Sequence, residues 1–126
     1  MDKVDKHSTS PYAVVGTVPI WKPAAASYTK YQIMEAIEAA SGIVWDDMLV
    51  GGRKGDIVRA RNAAYFYLHN YAKPKLSSPR VATMLRRKNH TSVLHGEAIF
   101  INDIDHNHNG VGDLAMRIVA YLNTIQ

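Results

Sequence analysis

Residues 86–95 join three cations to a polar helix start and read Arg86-Arg87-Lys88-Asn89-His90-Thr91-Ser92-Val93-Leu94-His95. Asn89 suits the N-cap position, because its side-chain oxygen can accept a hydrogen bond from the free N–H groups of a first helical turn. His90, Thr91 and Ser92 would fill that turn, at the positively polarised end of the helix. DNA-reading helices present their N-terminal residues to base edges in this way. The stretch therefore predicts a helix whose first turn can contact DNA, provided that the rest of the fold orients it toward the duplex.

A shorter helix is predicted immediately before this stretch. Ser78 fits its N-cap, and Pro79 fits its first helical position, where proline loses no hydrogen bond. The helix would run to about Leu85, with an inward face formed by Val81, Ala82 and Leu85. The cations at 86–88 would form a tight turn before the next helix. Two short helices joined in this way form a helix-turn-helix.

Helical patterns cover much of the remaining chain. The first helix begins at a capping box, with Thr29 as N-cap and Gln32 three residues later, and Gly42 fits its C-terminal stop. The other predicted helices cover about residues 46–49, 56–71, 90–101 and 113–124. A flexible basic loop is expected at 51–55, where three glycines exclude a helix interior, and a polar loop at 103–112.

The spacing of apolar residues predicts which side of each helix faces the core. In the helix over 56–71 these residues are Ile57, Ala60, Ala64, Leu68 and Tyr71. In the helix over 90–101 they are Leu94, Ala98 and Ile101, flanked by Val93 and Phe100. In the last helix they are Leu114, Ile118, Tyr121 and Leu122. No segment has the pattern of a β-rich unit, so the predicted fold class is all-α, a helical bundle with a helix-turn-helix.

The composition indicates one globular domain and sets apart its N-terminal residues. The 126 residues are 47% hydrophobic and contain no cysteine, which excludes disulfides and thiolate metal sites. No apolar run is long enough to span a membrane, and the first residues lack the apolar core of a signal peptide, so we expect a cytoplasmic protein. Residues 28–126 are predicted to form the domain, and residues 1–27 are predicted to form a partly ordered arm. In the arm, the candidates to cover a groove on the domain or to dock a partner are Tyr12, Ile20 and Trp21.

The charge is distributed unevenly along the chain. The net charge is +4 and the isoelectric point is about 9.4. Residues 53–61 hold four cations and one acid, and residues 73–88 hold six cations and no acid. Such a layout fits either a phosphate-binding surface or an ordinary solvated basic face.

Three motifs, in order and with compatible spacing, resemble the C-terminal DNA-binding domain of the bacterial replication initiator DnaA. The first is the 87–95 stretch, which is similar to the G-R-D-H-T-T-V-L-H recognition-helix motif of that family. The second is the basic loop that leads into Ile57-Val58-Arg59-Ala60-Arg61-Asn62. The third is Leu76-Ser77-Ser78-Pro79, before the first helix of the helix-turn-helix. The resemblance covers residues 27–100 and implies an all-helical module related in fold to the Trp repressor.

The resemblance also implies roles for individual residues. Arg53 in the basic loop would reach into the minor groove of DNA, and Lys54 of the same loop is a further DNA-binding candidate. The residues expected to meet base edges and neighbouring phosphates in the major groove are Asn89, His90, Thr91 and Ser92. Ser78 and Pro79 would contact the opposite wall of that groove. Arg61, Asn62 and His95 would clamp phosphates. Apart from the resemblance, the cations Arg86, Arg87 and Lys88 are expected to add positive charge at the DNA surface.

The chain departs from the family pattern at several positions. Asn89 stands where the family usually has Asp, and an amide suits adenine whereas a carboxylate suits the amino group of cytosine. Ser92 replaces a threonine, and Arg86-Arg87 replaces a glycine-rich turn. The chain has no Gly-x-x-x-x-Gly-Lys-Ser/Thr phosphate loop, so we expect it to bind no nucleotide and to act without ATP-driven assembly.

Other features have ordinary structural interpretations. Asp105 to Gly110 resembles the start of a calcium loop, but Met116 stands where the bidentate Glu is needed, and a turn-rich connector is expected there. No nucleophile is positioned to use His90 or His95, so no catalytic site, metal or cofactor is expected. Four aromatics, Tyr65, Phe66, Tyr67 and Tyr71, crowd the predicted helix over 56–71, so some of them are expected to be exposed, with Tyr65 or Tyr67 as the candidate for a partner surface. At least two of the four are expected to pack in the core.

The sequence thus predicts a sequence-preferring protein that binds double-stranded DNA. It would recognise DnaA-box-like sites as a monomer, regulate replication initiation or transcription, and possess no enzyme activity. The competing hypothesis is a protein-interaction module that engages the replication initiator or its inactivators through the arm and exposed aromatics.

Overall fold

The computed structural model describes residues 21–23, 27–50 and 54–125, and this part of the chain is helical. Its α-helices are α1 (Lys30–Ser41), α2 (Trp45–Leu49), α3 (Gly55–Tyr71), α4 (Ser78–Met84), α5 (Thr91–Asp105) and α6 (Val111–Ile125). A 3-10 turn, His108–Gly110, precedes α6. No β-strand is assigned in these residues, although one isolated parallel bridge pairs Tyr28 with Ala72. The all-α prediction is confirmed.

Local hydrogen bonds set both ends of α1. Thr29 Oγ1 accepts from the Gln32 N–H at 3.1 Å, and Gln32 Oε1 accepts from the Thr29 N–H at 2.9 Å. Gly42 ends the helix in a left-handed conformation with φ 74°, and its N–H donates to the Glu38 carbonyl. The predicted capping box and glycine stop are both confirmed.

Helix α3 lies at the centre of the bundle. It contacts α1, α2, α4 and α5, and the run from Ala60 to Leu68 is buried on every side of the helix. The prediction that Tyr65 or Tyr67 supports an exposed partner surface is therefore wrong, since these side chains are only 4% and 0% exposed. The prediction that at least two of the four aromatics pack in the core is confirmed. Successive residues are 100° apart around a helix, so a helix with one buried face cannot bury several consecutive aromatics. A helix that is surrounded by neighbours, such as α3, can bury them all.

Trp21 closes one end of this aromatic core. Its ring meets Phe66 edge-on at a centroid distance of 5.2 Å, and its carbonyl accepts from Tyr67 Oη at 2.7 Å. Buried edge-to-face pairs of this kind stabilise by about 0.5–1.5 kcal/mol beyond the area they bury. Trp21 therefore packs on the domain, whereas Tyr12 and Ile20 lie outside the described residues.

The side of α5 that faces the core differs from the predicted one. The buried residues are Val93, Gly96, Phe100 and Ile104. Leu94 and Ile101, predicted to be core, are 45% and 38% exposed, and Ala98 is exposed too. Two apolar stripes with helical spacing run along this helix, and its close contact with α3 selects the one that contains Gly96. A Cβ atom at Gly96 would come within 2.3 Å of Tyr65 Cδ2, so only glycine permits this approach.

The connection to the last helix is shorter than predicted. Helix α5 continues to Asp105 and α6 begins at Val111, so the 103–112 loop prediction is wrong at both ends. The chain reverses through Asn107, Asn109 and Gly110, which all have positive φ. Asn107 Oδ1 accepts from the Asp113 N–H at 3.1 Å, so this asparagine-rich segment serves as a turn and holds the start of α6. The buried face of α6 contains Leu114, Ile118 and Leu122 as predicted, with Tyr121 half-buried.

None of the helices described above combines the length and the apolar character needed to cross a membrane.

Candidate DNA-binding surface

Helix α4 begins one residue earlier than predicted. Ser77, rather than Ser78, is the N-cap, and its Oγ accepts from the Arg80 N–H at 3.3 Å. Pro79 therefore sits inside the first turn, where its missing N–H has no helical partner to lose. Pro79 is exposed and Ser78 is half-buried, so both remain at the surface of α4, while the predicted inward residues Val81, Ala82 and Leu85 are buried.

The turn between α4 and α5 is a C-terminal cap of the Schellman type. The Arg87 N–H donates to the Ala82 carbonyl at 2.8 Å, and the Arg86 N–H donates to the Thr83 carbonyl at 3.0 Å. Arg86 has φ 55°, the left-handed conformation that glycine usually supplies at this position. The turn geometry is thus formed here by an arginine, whose cation is exposed.

Asn89 caps the start of α5 through its side chain. Its Oδ1 accepts from the Thr91 N–H at 2.9 Å, and its carbonyl accepts from the Ser92 N–H at 3.1 Å. His90 already has helical angles, with φ −66° and ψ −17°, although the regular helix is assigned from Thr91. The predicted capping interaction of Asn89 is therefore present. Because a backbone N–H can only donate, the amide oxygen is the atom used by the cap, and the Nδ2 group takes no part in that hydrogen bond.

The first turn of α5 presents a polar outer surface above a buried support. His90, Thr91 and Ser92 are exposed, and His95 is exposed one turn beyond Thr91. Val93, directly between them in sequence, is 0% exposed and anchors the turn to the core. We use "recognition surface" for nine residues at the start of α4, in the turn and at the start of α5, which are exposed except for the half-buried Ser78: Ser78, Pro79, Arg86, Lys88, Asn89, His90, Thr91, Ser92 and His95.

Arg61 lies beneath this surface. Its side chain is 8% exposed, and its Nε donates to the Met48 carbonyl at 3.1 Å. Burial, followed by the positive charge of Arg87, lowers the pKa of Arg61. Arg87 is half-buried, and its Nη2 approaches the same Met48 carbonyl at 3.5 Å. Both guanidinium groups thus connect the helix-turn-helix and α3 to the end of α2.

Asn62 is also buried, at 9% exposure. It faces α5, because a Cβ atom at Gly96 would approach its Oδ1 within 2.6 Å. The predicted phosphate contacts of Arg61 and Asn62 thus fall on side chains with little free surface, engaged in packing α3 against its neighbours.

The basic loop before α3 is described only at its end. Lys54 is exposed and immediately precedes the helix. Arg53 and the two preceding glycines lie outside the described residues. Of the predicted basic loop, only Lys54 and Gly55 are described, and they lie at the N-terminal end of α3.

A polar cluster between α3 and α5 carries no signal in the sequence. His69 Nδ1 and Glu97 Oε2 are 2.5 Å apart, and Asn70 Nδ2 donates to Glu97 Oε1 at 3.0 Å. The three side chains join the C-terminal part of α3 to the middle of α5 on the side away from the first turn. Because the partners are distant in the chain, no local spacing reveals them.

The described part of the chain contains no candidate metal-binding cluster. Across residues 21–23, 27–50 and 54–125, no three acidic or histidine side chains are grouped to hold a metal ion. The exposed polar groups converge instead on the first turn of α5 and the cationic turn before it.

A short helix, a cationic turn and a second helix with an exposed polar first turn define a helix-turn-helix of the DNA-binding kind. The family described as the bacterial dnaA protein helix-turn-helix matches residues 31–99, more than half of the chain. The chain belongs to this family, and it resembles the C-terminal domain of DnaA. No match was found among curated proteins or among solved structures.

Proposed function

We propose that this protein binds double-stranded DNA with sequence preference, recognises sites that resemble DnaA boxes, and thereby regulates replication initiation or transcription. The observation that carries the proposal is the first turn of α5, where Asn89, Thr91 and Ser92 are exposed on a helix end that Val93 fixes to the core. The helix N-terminus adds a favourable field for phosphates. The proposed binding unit is a monomer on a non-palindromic site.

The exposed residues have distinct proposed roles. Thr91, Ser92 and His95 lie along the outer side of α5 and would face base edges or adjacent phosphates in the major groove. Arg86 and Lys88 would neutralise phosphates, because both are exposed cations of the turn. Lys54 would contribute from the start of α3, with Arg53 in the minor groove.

The buried residues have a supporting role in this proposal. Arg61, Asn62 and Arg87 hold α3 and the turn in position. Arg61 and Asn62 are buried and have little surface for direct contact, whereas Arg87 is half-buried. Their loss would act on DNA affinity through the stability and position of the recognition surface. This proposed role differs from the phosphate clamp that the resemblance implies for Arg61 and Asn62.

Asn89 would act in recognition mainly as a donor. Its Oδ1 is used by the helix cap, so its Nδ2 group is the atom available to a base acceptor. Acceptors in the major groove include the N7 and O6 of guanine, the N7 of adenine and the O4 of thymine. A bidentate contact with adenine would require the capping oxygen as well. We therefore propose that Asn89 prefers a single acceptor and selects against the amino group of cytosine.

The decisive experiment is selection of bound duplexes from a random pool, followed by affinity measurements over a range of salt concentrations. The proposal predicts an enriched motif related to a DnaA box. It also predicts a slope of about −3 to −5 for log K against log salt, as expected if three to five phosphates are neutralised. Binding that enriches no motif, or that is insensitive to salt, would refute it.

A further inference from the structure

We propose that a basic cleft at the start of α1 and α4 binds the phosphodiester backbone of DNA that flanks the site read by α5. We call it the flank cleft, and it is lined by Thr29, Lys30, Tyr31, Lys73, Lys75 and Arg80, together with Pro74, Leu76 and Ser77. The inference rests on the proposed function, because it extends the same DNA contact beyond the recognition surface.

The walls of the flank cleft are held by backbone hydrogen bonds. The Tyr28 N–H donates to the Tyr71 carbonyl, and the Lys73 N–H donates to the Tyr28 carbonyl, both at 2.8 Å. These bonds fix the chain before α1 beside the chain that leaves α3. Leu76 is buried at 7% exposure and anchors the second wall to the core. The cleft is therefore a built feature of the fold, with a volume of about 540 Å³.

The lining of the flank cleft is strongly positive. It contains four cations, Lys30, Lys73, Lys75 and Arg80, and none of the described residues that line it is acidic. The N-terminus of α1 adds a positive partial charge, and the first turn of that helix contains no acid. Hydroxyl groups of Thr29 and Ser77 add small polar groups beside the cations. This charge fits a polyanion and disfavours a cationic ligand.

The position of the flank cleft favours DNA as the polyanion. Ser77 and Arg80 line the cleft and belong to the N-terminal end of α4, next to Ser78 and Pro79 of the recognition surface. Helix α4 has seven residues, a length of roughly 10 Å, which corresponds to about three base-pair steps of DNA. A duplex seated on α5 and on the start of α4 would therefore continue toward the cleft. An acidic protein segment has no comparable reason to lie there.

The experiment compares two duplexes that contain the same selected site. One is trimmed to the site, and the other is extended by about one helical turn at each end. Affinity is measured against salt for the full chain and for the double variant Lys73→Gln/Lys75→Gln, whose side chains are exposed. The full chain should show a steeper slope on the extended duplex. The double variant should lose about 1–2 units of that slope, since each neutralised phosphate contributes about 0.9.

A control with the same change in charge separates local contact from net charge. Lys75→Gln is compared with Arg117→Gln, because Arg117 is exposed and its Nε donates to the Ala40 carbonyl at the other end of α1. The length of α1, about 18 Å for its twelve residues, keeps this cation away from the cleft. Only Lys75→Gln should reduce the slope on the extended duplex, and neither change should alter the selected motif.

The failures are distinguishable. The flank cleft is overturned if the salt slopes of the full chain are equal on both duplexes, or if Lys75→Gln and Arg117→Gln reduce the slope on the extended duplex equally. In either case, binding to the trimmed duplex would still support the proposed function. Absence of binding to either duplex would overturn both proposals. A third outcome is that polyglutamate binds the full chain in a salt-sensitive way, that the double variant abolishes this binding, and that the variant leaves the salt slopes on DNA unchanged. This outcome would assign the cleft to acidic protein segments and overturn the DNA proposal.

Discussion

Arg61 and Arg87 approach the same carbonyl oxygen, that of Met48, with Nε of Arg61 at 3.1 Å and Nη2 of Arg87 at 3.5 Å. Two like charges are thus brought together beneath the turn of the helix-turn-helix. The shared acceptor and the burial of Arg61 connect three elements that are separate in the chain: the end of α2, the middle of α3 and the turn before α5. This junction sets the position from which the recognition surface projects.

The first prediction concerns Arg61→Ala. The variant loses a buried hydrogen bond from a charged group, which should lower the free energy of unfolding by about 1.5–3 kcal/mol. It also relieves the charge repulsion between Arg61 and Arg87, and this offsets part of the loss. Urea denaturation measures this loss. The matched control is Lys88→Ala, which removes an exposed cation of the turn, and should reduce the salt slope of DNA binding by about 0.9 with little change in stability. Unchanged stability in Arg61→Ala would contradict a structural role.

The second prediction concerns Arg86→Gly. The left-handed conformation at φ 55° costs a non-glycine residue roughly 1–2 kcal/mol, and the larger unfolded-state entropy of glycine offsets part of the gain. The variant should be more stable by up to about 1 kcal/mol but bind DNA less tightly at low salt, because it loses a cation. Thermal unfolding and a salt titration measure the two effects. Arg86→Lys is the control and should leave both nearly unchanged.

The third prediction concerns Gly96→Ala. A helix interior ordinarily gains from this change, but here the new Cβ would meet Tyr65 Cδ2 at 2.3 Å and Asn62 Oδ1 at 2.6 Å. Overpacking of this kind costs about 1–3 kcal/mol, so chemical denaturation should show a less stable protein. Asn102→Ala, on the exposed side of the same helix, is the control and should be neutral or mildly stabilising. A Gly96→Ala protein as stable as its parent would disprove the close packing of α5 on α3.

The fourth prediction concerns Asn89→Asp, which restores the residue usual in the family. A carboxylate can still cap α5 and is favoured at a helix N-terminus, so stability should be unchanged or higher by about 0.3–1 kcal/mol. The selected motif should shift toward cytosine at one position, because the donor Nδ2 is replaced by an acceptor. Asn89→Ala should lose about 1 kcal/mol through the missing cap and relax base preference. An identical motif for all three proteins would exclude Asn89 from base recognition.

The fifth prediction concerns alkaline pH. Burial raises the pKa of Tyr67 well above its usual range, and burial also raises the pKa of Tyr65. In the unfolded chain these phenols ionise near pH 10, whereas the folded protein keeps them neutral. The stability that they contribute is therefore complete below about pH 10 and is lost as the pH rises further. Denaturation curves at increasing pH should show this loss, and Tyr67→Phe should weaken the dependence. A stability that stays constant above pH 10 would contradict it.

Local signals in the sequence predicted several features of the fold. The capping box at Thr29 and the glycine stop at Gly42 depend on hydrogen bonds between residues three or four apart, and both are present. The order of the helices and the cap by Asn89 also followed from neighbouring residues. The family match covers residues 31–99, the region in which the motifs lie.

Features that depend on distant neighbours were not readable in this way. The spacing of Leu94, Ala98 and Ile101 is as helical as that of the buried stripe, so periodicity alone selected the wrong side of α5. Tyr65 and Tyr67 are buried because helices surround α3 in several directions, which no local pattern records. The flank cleft likewise depends on a bridge between Tyr28 and Ala72.

The chain alone determined that this protein is helical, where most of its helices begin, and that a cationic turn leads into a capped helix with a polar first turn. Those properties come from hydrogen bonding and backbone preference over a few residues. The tertiary structure decided which motif residues reach the surface. Arg61 and Asn62 belong to the motif but are buried against α2 and α5, whereas Asn89 and Thr91 are exposed. The physical reason is that burial depends on which helices meet, and Gly96 admits Tyr65 at a distance that no other side chain would allow.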